Sequence, residues 1–533
     1  MRRTYLFGLI VSLVTALAVA GMVAPAPAYA QKKILKLGHI EPDTLDPHTS
    51  ILGQSQAIVR FLYRGLTRFK ITSDGKVTTA EVEPDMAESW TSNDDGTVWT
   101  FKLRQGIQWH KGFGEFTADD VKFSIERVQD RSVKGNKFVK NLEMVKEVKV
   151  LDKYTVQVTL TAYDPVFLLR LVGYQQGYIL SKKAVERYGD EYAWNPIGTG
   201  PFQFDKHLPR EKIVLKANPQ YYFGRPKIDE VHWFIVPEDA TKLIGLEKGT
   251  FDIIVPNTMT PEVMDQVEKL DMVIDKRLPG GQQRFHITYT KPPFDDIRVR
   301  KAFLHGIDRQ AIVDTLTPKG LAKVAVSPLP PGYFGHVPVE MPEYNPELSR
   351  QLLKEAGYPD GITIKSYYIS KSYFYPKVMV MVQEQLKKAG FHIELQLVEH
   401  ATYHEYIRKN LNPFVLYGGT RLTDGDVWLS LFFHSSEAPN PETGNTGSNF
   451  AHYRGIDDLI DQGKKERDPE KRAQLYHEAQ RRIMADAVCL PILDEANTSA
   501  RNPRRVTTPF PAEYGEFALH YFHNYPEMLA LKE

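Results

Sequence analysis

Apolar positions follow two different periods along this chain. In the first half they alternate with period two. Trp99-Thr-Phe-Lys-Leu103 puts every second residue on one face and ends at the Arg104-Gln-Gly106 turn. Val148 and Val150 face Val156, Val158 and Leu160 across a Leu151-Asp-Lys153 turn, which predicts a hairpin over Glu147–Leu160. Between these strands Thr117-Ala-Asp-Asp120 opens a helix. Thr117 caps it, Asp119 and Asp120 suit its positive end, and Val121, Ile125 and Val128 form its apolar stripe.

Farther along, helices and strands alternate. Tyr375–Ala389 predicts a helix stopped by Gly390, and Phe391, Ile393, Leu395 and Leu397 predict the strand after it. Leu348–Ala356 predicts a second helix, stopped by Gly357. Asp468-Pro469 supplies an N-cap and a first-turn proline for a third, running to about Ala485. Proline- and glycine-rich breaks fall at 278–283, 328–346 and 438–448. A strand-rich half followed by an alternating half predicts an α/β protein with separate lobes rather than one continuous sheet.

The first thirty residues stand apart. Arg2 and Arg3 precede an apolar run from Leu6 to Met22, and Ala28-Tyr-Ala30 offers a small–x–small cleavage site, so a secretory signal peptide over 1–30 is expected. No cysteine at that site could carry a lipid anchor. After Met22 no stretch reaches the ~18 apolar residues a spanning helix needs. The expected address is the periplasm.

Composition then removes whole classes of function. Net charge is +1, or −1 without Arg2 and Arg3, and no basic run exists, so nucleic acid is not an expected partner. Cys489 is the single cysteine and lies in Ala-Val-Cys-Leu-Pro-Ile, an apolar setting that makes an inert thiol and excludes a cysteine metal cluster. Nucleophile-elbow, zinc-protease and phosphate-loop motifs are missing, and Ser73-Asp-Gly-Lys76 reads as a turn. His400 and His404 share a helix face but have no evident third ligand, so no metal and no cofactor is expected. The chain has 27 Tyr, 27 Phe and 6 Trp, more than a core requires, and such side chains make rigid walls for binding clefts.

Several segments, in order, resemble the dipeptide/oligopeptide/nickel class (family 5) of extracellular solute-binding proteins. They are Leu45-Asp-Pro-His48, Pro84-Asp-Met-Ala-Glu-Ser-Trp90, Asp95 to Gly106, Thr117 to Val121, Gly198-Thr-Gly-Pro-Phe202, Pro293 to Ala302 and Asn345 to Tyr358. Most of these residues read as structural: Trp90, Trp99 and Trp109 as core anchors, Gly198 and Gly200 as a tight turn, Phe294-Asp295 as a helix cap.

The resemblance implies a two-lobed periplasmic-binding-protein fold with a subdomain inserted in the first lobe. The expected division is 31–64, 195–283 and 496–533 for lobe I, 65–194 for the insertion and 284–495 for lobe II. Hinge strands are expected near 282–288 and 491–497. It also implies a monomeric capture subunit without catalysis, partnered by an ABC permease and ATPase. Its ligand would be a short peptide or peptide-like solute; an anionic opine- or sugar-phosphate-like compound or a nickel chelate is the alternative, and a secreted hydrolase a distant one. In peptide-binding members an aspartate in a second-lobe loop takes the peptide ammonium. Here that loop is Tyr417-Gly-Gly-Thr-Arg-Leu-Thr-Asp-Gly-Asp-Val-Trp428. One register puts Arg421 at that position and favours an anion; the other puts Asp424 there and favours an amine. The remaining candidates are Tyr417, Asp426, Trp428, Gly53, Gln54, Tyr174, Asn449 and His452.

Overall fold

The computed structural model describes residues 32–50, 52–71, 77–257, 259–369, 374–508 and 525–532; the expected leader lies outside them. Two long antiparallel strands, Val273–Ile287 and Cys489–Arg501, organise the chain. Their ladder runs to the Arg277–Asn497 pair and resumes at Gly281–Glu495, so Leu278, Pro279 and Gly280 stand opposite Ala496 alone. The proline- and glycine-rich break of the sequence is therefore a bulge inside a strand. Proline has no N–H to donate, and here the ladder is interrupted, so it costs no hydrogen bond.

On one side of the bulge the pair continues through Ile253–Ile254 to Ile34–His39, Glu230–Ile235, Lys212–Ala217 and Phe202–Leu208. On the other side it takes Phe414–Gly419 against the first long strand and Ala322–Val324 against the second. The result is one hydrogen-bonded sheet of nine strands, which corrects the expectation of discontinuous sheets. Each half nevertheless has its own apolar core. Leu35, Leu37, Phe61, Trp109, Phe202 and Trp233 belong to one; Phe285, Phe303, Val382, Leu386, Phe391 and Phe414 belong to the other.

A separate four-stranded antiparallel sheet, in the order Ala87–Ser92, Val98–Leu103, Thr155–Leu160, Val145–Asp152, contains the expected hairpin. The helix Ala118–Gln129 covers it, burying Val121, Ile125 and Val128; each such side chain contributes about 1.5–3 kcal/mol of burial. Its capping box is formed, with the Thr117 N–H donating to Asp120 Oδ2 at 3.0 Å. Trp109 is buried, whereas Trp90 and Trp99 are half-buried at the core edge.

Helices Pro346–Glu355 and Phe374–Lys388 end before Gly357 and Gly390, both at positive φ (95° and 91°) as their stop role requires. The cap of the helix Ile297–His305 is Asp296, not the expected Phe294-Asp295; its carboxylate accepts from the Arg298 N–H at 2.8 Å. Phe294 is instead core, packed against Phe303, Phe391 and Phe414.

Gly198 and Gly200 also differ from expectation. Neither has positive φ, and they do not make a turn. A Cβ on Gly198 would lie 1.8 Å from the Leu62 carbonyl oxygen, and one on Gly200 would lie 2.6 Å from Leu62 C. They are glycine because this segment crosses directly over Phe61-Leu62, where the Gly200 N–H donates to Leu62 O at 2.8 Å. Gly198→Ala should therefore cost about 1–3 kcal/mol by overpacking. Urea denaturation checks this; an unchanged midpoint would show that the crossing can move apart at no cost.

Candidate ligand-binding site

The strand Phe414–Gly419 delivers the chain into the loop 420–424, which opens the helix Gly425–Phe433. Asp424 is the N-cap, with Oδ1 accepting from the Asp426 N–H at 2.8 Å. Both its oxygens are also held by Arg472, at 2.5 and 3.0 Å. The two residues are only 3% and 6% exposed, and burial pushes the Asp424 carboxyl up to about 6, with Arg472 pulling the other way. In this structure Asp424 caps the helix and clamps Arg472, and a ligand ammonium would have to displace that bidentate guanidinium.

Three further candidates are also built into the fold. Asp426 is buried and its Oδ1 accepts from Ser430 Oγ at 2.9 Å. Trp428 is fully buried, its indole N–H donating to Pro328 O at 2.8 Å. Asn449 bonds His434 O, Tyr453 O and the Tyr453 N–H. Their polar groups are satisfied internally, which explains them without a ligand.

Arg421 is different. Tyr333 fixes its backbone, donating to Arg421 O at 3.0 Å and accepting from its N–H at 3.1 Å. The half-buried guanidinium donates to Thr420 O at 2.7 Å and lies 5.4 Å from the Phe432 ring centroid. It has no carboxylate partner among the described residues.

Around this loop the structure assembles other candidates. Leu422 packs in one apolar cluster with Tyr174, Leu169, Val172 and Phe69, bringing the segment near Tyr174 against the Arg421 loop. The Gln175 N–H donates to Gln56 Oε1 at 3.3 Å, tying that segment to the helix Gly53–Val59, which carries the half-buried Gly53 and Gln54. Tyr417 is half-buried, its ring 4.9 Å from Phe450 and 6.4 Å from Phe432. His452, two residues beyond Phe450, has positive φ (56°), and its Nε2 has no partner among the described residues. Burial, then Lys291, lowers its pKa.

The crossing strands fall where hinge strands are expected, near 282–288 and 491–497, but their polar residues are not among the site candidates. Gln282, Arg284 and His286 alternate with Gln283, Phe285 and Ile287, a buried strand with polar groups on one face; that alternation was the available signal. Gln283 Nε2 donates to Glu495 Oε1, and Gln282 Nε2 to Asp494 Oδ1, both at 2.8 Å. Arg284 is fully buried over Trp428 and Phe432.

Burial pushes Asp494 up to about 7, against Gln282 and Arg284. Its protonated form is thus favoured by folding. That contribution is whole below the ordinary carboxyl range near 3.8 and is lost as pH rises through 7. Asp494→Asn copies the neutral form, so it should match the natural protein at pH 4 and exceed it at pH 8 by about 1 kcal/mol or more. Urea midpoints at both pH values check the sign; a variant less stable at pH 8 would refute it.

His400 and His404 lie on the helix His400–Arg408 with Nε2 atoms 3.2 Å apart. Among the described residues no group of three His, Cys, Asp or Glu side chains could hold a metal ion. Cys489 is fully buried, and burial pushes its thiol up to about 12. No helix among the described residues is long and apolar enough to cross a membrane.

Comparison with known proteins agrees with this architecture. The family model for bacterial extracellular solute-binding proteins, family 5 Middle, matches residues 81–440. The glutathione-binding protein GsiB of Salmonella typhi is 29% identical over 498 residues, covering 91% of this chain and 94% of that protein. The solute-binding protein MoaA of A. tumefaciens R10, solved with mannopinic acid, superposes with a TM-score of 0.80 at 31% identity, covering 94% of this chain and all (100%) of that one. DppA of Helicobacter pylori, solved with the peptide STSA, gives a TM-score of 0.78 at 26% identity over 94% and 98% of the two chains. These neighbours are two-lobed periplasmic binding proteins, substrate-binding transport proteins rather than enzymes, that work with ABC permease and ATPase components. The chain belongs to the family 5 bacterial extracellular solute-binding proteins, the substrate-capturing components of ABC importers.

Proposed function

We propose that this protein captures a small, carboxylate-bearing, peptide-like solute in the periplasm and passes it to an ABC permease. The observation that carries the reading is Arg421. It stands in the loop that meets the ligand amine in peptide-binding members, without a carboxylate partner, while the acidic alternative Asp424 is committed to Arg472. A fixed cation there repels an ammonium and suits a carboxylate. Relatives named for glutathione and for mannopinic acid bind compounds of this chemistry, both amino-acid derivatives with carboxylates.

Capture proceeds by hinge closure, with lobe I (31–64, 195–283, 496–533) and its insertion (65–194) closing on lobe II (284–495). The broken ladder at 278–280 and 496 supports this division, because a bulge concentrates bending where few hydrogen bonds must be remade. The chain acts as a monomer after removal of its leader, and it has no catalysis of its own.

The test is mass spectrometry of what the mature protein, exported to a periplasm and gently purified, releases on denaturation. A defined acid-bearing solute supports the reading. A solute without a carboxylate overturns it.

A further inference from the structure

Arg284 is the charged side chain the fold explains least. It is 0% exposed, and none of its three guanidinium nitrogens has a hydrogen-bond partner among the described residues. A buried charge without an acceptor is costly, and native proteins rarely retain one unless something supplies the missing partner. The protein spends two aromatic rings on it: the guanidinium carbon lies 4.2 Å from the Trp428 ring centroid and 4.1 Å from that of Phe432. The rings hold the guanidinium without offering its N–H groups an acceptor, and those N–H groups are what grips a carboxylate bidentately.

Arg421 lies over the same Phe432 ring, 5.4 Å from its centroid. The groups whose charge bears on Arg284 are Cys489, Arg421, Tyr333 and Asp494. Of these, Cys489 is a thiol that burial holds protonated at pH 7. Arg421 is a second cation. Asp494 is the one carboxylate of the four; it is half protonated near neutral pH and its Oδ1 is taken by Gln282. His286, the next residue on this face, is packed among Phe432, Phe433 and Phe450, and burial holds it neutral. Two guanidinium groups thus share one ring, and neither is paired with a carboxylate among the described residues.

We propose that Arg284 is a second anion-binding group of the ligand site, taking one carboxylate of a dicarboxylic amino-acid conjugate whose other carboxylate is held by Arg421. This rests on the reading of Arg421 given above. The ligand class narrows from acid-bearing to doubly acid-bearing, and the hinge strand itself becomes a ligand contact.

Calorimetric titration of protein stripped of bound solute, with three probes that differ only in acid groups, tests this. The probes are L-alanyl-L-glutamate (two carboxylates), L-alanyl-L-glutamine (one) and L-alanyl-L-glutamine amide (none). The natural protein should prefer the first over the second by at least tenfold. In Arg284→Gln that ratio should fall to twofold or less, while Arg421→Gln should weaken both of the first two probes together. Thermal unfolding without ligand separates a binding role from a structural one: Arg284→Met should raise Tm, since it removes an unpaired buried charge and keeps the packing.

A natural ratio near one, no saturable binding of any probe, an unchanged ratio in Arg284→Gln, or a lower Tm for Arg284→Met overturns the second subsite. Unchanged binding in Arg421→Gln overturns the underlying reading instead.

Discussion

Asp424→Ala is expected to lower stability by about 3–5 kcal/mol, the largest loss of any single substitution considered for this chain. Two effects add. The Arg472 guanidinium, 6% exposed, loses the only carboxylate within ion-pairing distance among the described residues and is left charged between Phe334 and Tyr476. The helix Gly425–Phe433 also loses its cap bond to the Asp426 N–H, which by itself costs about 1 kcal/mol. Asp424→Asn separates the two. Asparagine caps nearly as well as aspartate but offers Arg472 no charge, so it should recover the capping share and little else. The double variant Asp424→Ala, Arg472→Met should recover more, because the orphaned charge is gone. Urea denaturation of the ligand-free protein measures all three. If Asp424→Ala kept its stability and lost solute binding instead, the carboxylate would be a ligand contact and the register that makes it the amine binder would return.

The pair also shows what a sequence can and cannot reveal. Asp424 and Arg472 are 48 residues apart, with no local pattern linking them. What was legible depended on neighbours close in sequence. Thr117 and Asp468 cap their helices because a cap needs only the next three residues. Gly357 and Gly390 end theirs because a left-handed residue is a local need. The hairpin expected over 147–160 reads for the same reason. What failed was decided at long range. Pro279 and Gly280 read as a loop because pairing across more than 200 residues, which makes them a bulge in a strand, leaves no local trace. Gly198 read as a turn because its crowding comes from Leu62, far back in the chain.

In the site the same division holds. The loop 417–428 was located through resemblance, but which of its charges is free depended on Arg472, Tyr333 and Thr420. Arg284 went unnoticed because a lone arginine in an apolar strand looks like an edge residue until both its neighbours, Phe414–Gly419 and Cys489–Glu495, are known to pair with it.

Arg421→Gln should reduce affinity for the solute that the natural protein releases by on the order of 100-fold, with stability changed by less than about 1 kcal/mol. The asymmetry follows from how the residue is held. Tyr333 positions its backbone through the N–H and C=O, which any residue supplies, so the loop keeps its shape. The guanidinium makes one neutral bond, to Thr420 O, and lies over Phe432; neither is a large contribution in a half-buried setting. Most of what arginine brings is then reserved for the ligand. Losing a charge-assisted bidentate contact in a closed, water-poor cleft costs about 2–5 kcal/mol, chiefly because the ligand carboxylate is left buried without its partner. Arg421→Lys should fall between, since a point charge keeps the attraction but not the fork. Titration of the stripped protein with its own released solute, beside a urea curve for each variant, gives both numbers. Equal losses of affinity and stability would make Arg421 a structural residue; a loss of affinity alone makes it the anion contact, and its size measures how much of the binding free energy that one contact carries.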